Sequence, residues 1–339
     1  MKKRVLIIAM AMIMALVMTG CADDKKCAGA ADDGKLNIVT TIFPEYDWAK
    51  EIIGDKAADA EVTLLLDNGA DLHSYQPSAE DIMKITNADI FVYVGGESDE
   101  WVDDVVEGSI TDKTKVINLM DVLGDKAKEE EVAEGMQEEH DSDKDDKHES
   151  EKYDEDHEEG QEYDEHVWLS LRNTRVIVQE MAEVFSDADP ENKDAYEKNA
   201  EEYLSRLDDL DARYQKTVKD AEVKTLLFGD RFPFRYLTDD YGIRYYAAFA
   251  GCSAETEASF ETITFLADKV DELGLRNVMI IDGSDGKIAD TIIKNTKRKD
   301  QTVLALDSMQ STVSKEIENG KTYITTMESN LKVIKKALN

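Results

Sequence analysis

Asp189-Pro-Glu-Asn-Lys-Asp-Ala-Tyr-Glu-Lys-Asn-Ala-Glu-Glu-Tyr-Leu-Ser-Arg-Leu-Asp-Asp-Leu-Asp-Ala-Arg-Tyr-Gln-Lys-Thr-Val-Lys-Asp-Ala221 contains no glycine, and no proline after Pro190. Asp189-Pro190 is a helix-start signal, with proline at the first helical position. Tyr196, Ala200, Tyr203, Leu207, Leu210 and Tyr214 recur at three- and four-residue steps, so one stripe is apolar. The pattern predicts one helix of about 30 residues, roughly 45 Å at 1.5 Å per residue. That length exceeds one small lobe and is enough to connect two.

The flanking segments support two lobes. Before the helix, Lys35–Phe43, Ala60–Leu66, Asp89–Val94 and Lys115–Leu119 read as strands, with helical spacing at Tyr46–Ile53, Ser78–Thr86 and Glu100–Val106. After it, Lys224–Phe228, Ile243–Phe249, Asn277–Ile281 and Thr302–Leu306 read as strands alternating with helices, and a last helix covers about Tyr323 to Leu338. Alternation of this kind indicates parallel α/β topology. The predicted organisation is a first lobe over 36–186, a linking helix over 187–222 and a second lobe over 223–339.

The 339 residues carry 40 Lys+Arg against 75 Asp+Glu, a net charge of −35. Such a chain lacks the basic surface that nucleic acid requires. Small cations are the partners this sign of charge favours. The charge is uneven. Residues 129–165 hold 20 acidic and 3 basic residues, a net of −17, which leaves −18 for the rest. A run of this composition cannot bury apolar surface and is expected to be disordered. It contains His140, His148 and His157, and His166 stands at its exit.

The first residues read as a targeting segment. A basic start precedes an apolar run from Val5 to Met18, too short for a membrane span. Thr19-Gly20-Cys21 then places small residues directly before a cysteine, as at a bacterial lipoprotein cleavage site. Residues 1–20 are thus expected to be a signal peptide, Cys21 a lipidated residue and 21–35 a flexible tether. Three cysteines are too few for a disulfide framework.

Three positions carry chemistry together. His73 lies in a turn flanked by glycine and proline after a strand, where open parallel sheets bind ligands. His166 follows the acidic run, and its neutral imidazole can coordinate a metal. Asp307 ends the Thr302–Leu306 strand. Alone, each has a bland reading as a loop or turn residue. Together they form a set suited to zinc or manganese.

These residues lie in longer stretches: Asp71-Leu-His73-Ser-Tyr-Gln-Pro-Ser-Ala-Glu-Asp81, Ala88-Asp-Ile-Phe-Val-Tyr-Val-Gly-Gly-Glu97 with Trp101, Glu165-His-Val-Trp-Leu169, Tyr236-Leu-Thr-Asp-Asp-Tyr-Gly242 and Leu306-Asp307. In them the chain resembles the metal-binding lipoproteins of bacterial ABC importers for zinc and manganese, the cluster that includes the ZnuA-type zinc proteins. The resemblance covers nearly the whole mature chain. It implies two Rossmann-like α/β lobes joined by one long rigid helix, with metal in the inter-lobe cleft. It also implies an ABC permease and its ATPase as partners, attachment to the extracytoplasmic face of the membrane through the lipid anchor only, a monomer, and no enzymatic activity.

The resemblance implies a third ligand, His or Glu, five positions before Tyr236. That position is Arg231, which stays protonated and cannot coordinate. Asp230 serves if the backbone shifts by one residue. Cys252 is a further candidate through its thiolate, with a buried free thiol as the alternative. The expected ligand set is therefore His73, His166, Asp230 and Asp307. Zinc (Zn2+) is the expected ion because an acidic, His-bearing loop before the second ligand is more typical of zinc members. Manganese (Mn2+) is the alternative that the oxygen ligands allow. His140, His148 and His157 are expected either to capture metal weakly or to be incidental to a solvated insertion. A metal-dependent hydrolase and a surface adhesin are competing classes. Against the first, the chain has no HExxH, GxSxG or Gly-rich phosphate loop; no repeats or disulfides support the second.

Overall fold

The computed structural model describes residues 35–54, 60–108, 110, 113–137, 162–253 and 257–339. The described residues from 36 onward form one compact unit. Cys21, His140, His148 and His157 lie outside the described residues.

The first sheet consists of β1 (Leu36–Thr40), β2 (Ala60–Leu64), β3 (Ile90–Tyr93) and β4 (Lys115–Asn118). All its pairs are parallel and the order is β2-β1-β3-β4. The second sheet consists of β5 (Thr225–Phe232), β6 (Arg244–Ala250), β7 (Asn277–Ile281) and β8 (Thr302–Leu306), again parallel, in the order β6-β5-β7-β8. Both sheets thus have one topology. In each, the chain goes to one side of its first strand and then to the other, which opens a crevice beyond the strands' carboxyl ends.

Helices cover the sheets: α1 (Phe43–Ile53), α2 (Ala79–Thr86), α3 (Trp101–Gly108), α4 (Leu119–Leu123) and α5 (Leu171–Ala188) in the first half. Local chemistry starts them. Glu45 Oε2 accepts from Thr41 N at 2.8 Å and Ile42 N at 3.1 Å, closing the turn between β1 and α1. Ser78 caps α2, and Asp81 Oδ2 accepts in return from Ser78 N.

The linking helix, α6, spans Lys193–Asp220, 28 residues or about 42 Å. It begins three residues after Pro190. Asn192 Nδ2 and Tyr196 Oη both donate to Asp189 Oδ2, so the Asp-Pro pair is held in the turn that follows α5. The apolar stripe is buried along the whole helix, from Tyr196 to Val218.

The second lobe adds α7 (Arg235–Tyr241), α8 (Phe260–Leu273), α9 (Lys287–Asn295), α10 (Ser314–Glu318) and α11 (Tyr323–Ala337). The last helix packs on α6, on β8 and also on α1 of the first lobe. Tyr214 Oη donates to Met327 O at 2.6 Å and Tyr323 Oη to Trp168 O at 2.7 Å. One continuous apolar core contains Trp48, Phe91 and Trp168 together with Phe228, Met279 and Leu306. A smaller one lies between the second sheet and α8 and α9. So the lobes are tied by two helices and a shared core.

The acidic segment departs from the expectation of disorder over 129–165 at both described ends. Glu129 bridges to Tyr163 as an antiparallel pair, and Glu130 N donates to Glu162 O at 2.8 Å. Tyr236 Oη donates to Asp164 O, and Lys128 N donates to Tyr236 Oη. No helix among the described residues is long and apolar enough to cross a membrane.

Candidate metal centre

His73 lies in a short 3-10 turn, Leu72–Ser74, in the segment after β2. Asp71 fixes that turn: its Oδ1 accepts from His73 N at 3.1 Å and its Oδ2 from Arg231 Nη2 at 2.9 Å. His166 precedes a second 3-10 turn, Val167–Leu169, and is fully buried. The two Nε2 atoms are 3.2 Å apart.

Each ring's other nitrogen has an outer partner. Asp164 Oδ1 lies 2.8 Å from His166 Nδ1 and also accepts from His166 N at 2.9 Å. Ser98 Oγ lies 2.7 Å from His73 Nδ1, with Glu165 Oε2 at 3.6 Å. With a proton on each Nδ1, both Nε2 lone pairs point to the same place. This is the arrangement by which outer carboxylates orient imidazole ligands. Two nitrogens on one tetrahedral zinc at 2.0–2.1 Å would be roughly 3.3 Å apart, close to the separation observed.

The surroundings act on His73 and set carboxylates around it. Burial, then the charge of His166, pushes the His73 pKa down to about 3, so its imidazole is an unprotonated donor at neutral pH. Burial raises the Glu165 carboxyl, which hydrogen bonds from Ser98 partly offset. Its Oε1 accepts from Ser98 N at 2.8 Å, while its Oε2 is buried without a hydrogen-bond partner. Gly96, at φ +85°, leaves room for this carboxylate, since a Cβ there would lie 2.5 Å from Oε1. A pocket of about 260 Å³ opens from His73 and Cys252 between Glu97, Glu130, Glu162 and Glu165. Its walls favour a cation over an anion.

Cys252, in the loop after β6, completes the one group of donors among the described residues whose atoms all lie within 4.8 Å of one another, with His73 and His166. Burial, then the nearby Glu130, raises its thiol pKa above the ordinary value.

The structure does not bring Asp230 or Asp307 into this group. Asp230 lies where the β5–β6 register shifts, between Phe228 and Arg231. Its Oδ1 accepts from Arg231 N at 2.9 Å and its Oδ2 from Ile281 N at 3.2 Å, so the carboxylate stitches β5 to β7. Asp307 pairs with Lys321 Nζ at 2.8 Å and accepts from Met309 N at 2.8 Å. From the same stretch Gln310 reaches the imidazoles instead, with Nε2 3.0 Å from His166 Nε2. Sequence reasoning did not single out Ser98, Asp164 or Gln310. Asp164, two residues before His166, had a local signal. Gln310 had none.

Two α/β lobes of one topology, tied by a long helix, bring two imidazoles face to face in an arrangement suited to a metal ion. The chain belongs to the ZnuA family: the family model described as "Zinc-uptake complex component A periplasmic" matches residues 38–337. It is 31% identical over 328 residues to the zinc-binding lipoprotein AdcA of Streptococcus pneumoniae, covering 96% of this chain and 59% of that protein. It is 30% identical over 324 residues to the high-affinity zinc uptake system protein ZnuA of Bacillus subtilis, covering 95% and 94%. The Zn(II)-bound ZnuA-like domain of Streptococcus pneumoniae AdcA superimposes with a TM-score of 0.67 at 29% identity, covering 90% of this chain and 99% of that domain.

Proposed function

We propose that this protein captures zinc outside the cytoplasm and delivers it to an ABC-type importer, a membrane permease with its ATPase. It works by binding, not by catalysis. The observation that carries this reading is a half-buried imidazole, His73, facing a fully buried one, His166, with Nε2 atoms 3.2 Å apart and each ring backed by an outer acceptor. The zinc-binding names of the AdcA and ZnuA relatives support the choice of metal. His73 and His166 hold the ion, a lipid on Cys21 keeps the protein at the membrane, and the protein acts as a monomer. His140, His148 and His157 gather zinc more weakly.

Calorimetry with zinc and with manganese tests the reading. One tight zinc site is expected, lost in both His73→Ala and His166→Ala. Zinc affinity weaker than micromolar in the unaltered protein would overturn it. Fatty-acid labelling abolished by Cys21→Ser is the matching result for the anchor.

A further inference from the structure

The position where the family resemblance calls for a third ligand is filled by an ion pair. Arg231, at the end of β5, donates from Nη2 to Asp71 in the His73 loop of the other lobe. A guanidinium offers a metal no lone pair. Here the cross-lobe contact is a clamp on the loop and not a coordinating group.

The loop after β6 supplies a different donor. Cys252 N donates to Glu130 Oε1 at 3.0 Å, which ties this loop to the paired base of the acidic segment. Its neighbour Gly251 lies directly against His166: a Cβ there would be 3.0 Å from Cε1 and 3.0 Å from Phe232 O. The loop is thus held against the imidazole from both ends, and Cys252 Sγ falls within 4.8 Å of the two histidine donors.

We propose that Cys252 is the third protein ligand to the zinc ion, giving a His2Cys site, and that its sulfur sets the preference for zinc over manganese. The inference rests on the zinc-binding reading above. On one tetrahedral zinc, with Zn–S about 2.3 Å and Zn–N about 2.0–2.1 Å, sulfur and nitrogen would be roughly 3.6 Å apart. Sγ therefore moves in by at most about 1.2 Å, within reach of a χ1 adjustment in a half-buried side chain. The S–H bond breaks as the Zn–S bond forms, the proton passes to solvent, and no oxidant or reductant takes part. The fourth position faces the acidic pocket. Thiolate suits zinc, whereas manganese is a hard ion that prefers oxygen ligands. Asp230 and Asp307, the carboxylates expected in the ligand set, are engaged elsewhere.

Cobalt(II) loaded in place of zinc is the test, in the full chain carrying Cys21→Ser and Cys27→Ser so that Cys252 is its one cysteine. A thiolate-to-cobalt charge-transfer band in the near ultraviolet is expected. Cys252→Ser should abolish it, weaken zinc by roughly 100-fold or more, beyond the loss of an outer partner, and narrow the margin over manganese. Cobalt bound without that band, or wild-type zinc affinity in the serine variant, would overturn the thiolate ligand while leaving zinc binding intact. Failure of the parent chain to bind either metal would overturn the zinc reading itself. If the serine variant does not fold, the parent spectrum alone decides.

Discussion

Single residues around the imidazoles divide into those that face the metal and those that aim the ones that do. Asp164 belongs to the second kind, holding both the backbone and Nδ1 of His166. Asp164→Asn should lower zinc affinity about 10–100-fold, with an unchanged circular dichroism spectrum. Competition against a chromophoric chelator measures it, and an unaltered affinity would remove Asp164 from that role. Arg231 acts at one remove further, through Asp71. Arg231→Ala frees the His73 loop and should weaken zinc by less than the loss of Asp164 does, in the same assay. The two histidines were legible from sequence because a polar turn after a strand, or after a charge run, is a place where sites occur. The carboxylates were not. Asp230 and Asp307 each end up beside a backbone amide or a lysine brought there by packing, Ile281 N and Lys321 Nζ, and no local pattern records such partners.

At the scale of elements, strands and helices are legible in the residue pattern and their joints less so. The strand alternation found both sheets, since buried parallel strands are short apolar runs. The apolar stripe marks the long helix, but the helix begins at Lys193 and not at Pro190, because the Asp189 carboxylate accepts from Asn192 and Tyr196 in the preceding turn. The joint between α1 and α11 makes a pH-dependent prediction. Asp47 Oδ2 accepts from Tyr323 N at 2.9 Å, at the first turn of α11. Burial raises its pKa from the ordinary 3.8 to about 7 against the lowering effect of that bond. The folded protein thus keeps a proton that the unfolded chain releases between these values. Its contribution to stability is complete below about pH 4 and is lost as pH rises through 7. Asp47→Asn can keep the bond to Tyr323 without the buried charge. It should be more stable than wild type at pH 8, by up to roughly 4 kcal/mol, with the difference vanishing near pH 4. Urea denaturation at both values measures this; an equal difference at both would show that Asp47 does not titrate in that window.

For the whole molecule, the two described ends of the acidic segment pair with each other. Joining 137 to 162 through a short Gly/Ser linker should leave one tight zinc site and the melting temperature unchanged, while removing weaker sites contributed by His140, His148 and His157. A longer excision that begins at residue 129 takes Glu130 away from Cys252 and breaks the bridge to Tyr163. It should therefore cost tight binding as well. Calorimetry on the two deletions separates the segment's paired ends from the residues between them. Two helices and one unbroken core fasten the lobes to each other, which opposes a wide opening between them. If the protein takes up zinc as proposed, the short segments 71–75 and 162–166, which carry His73 and His166, are where the site would open. A transporter that grips those loops would act on the ion's dwell time, accelerating its unloading without prising the receptor apart.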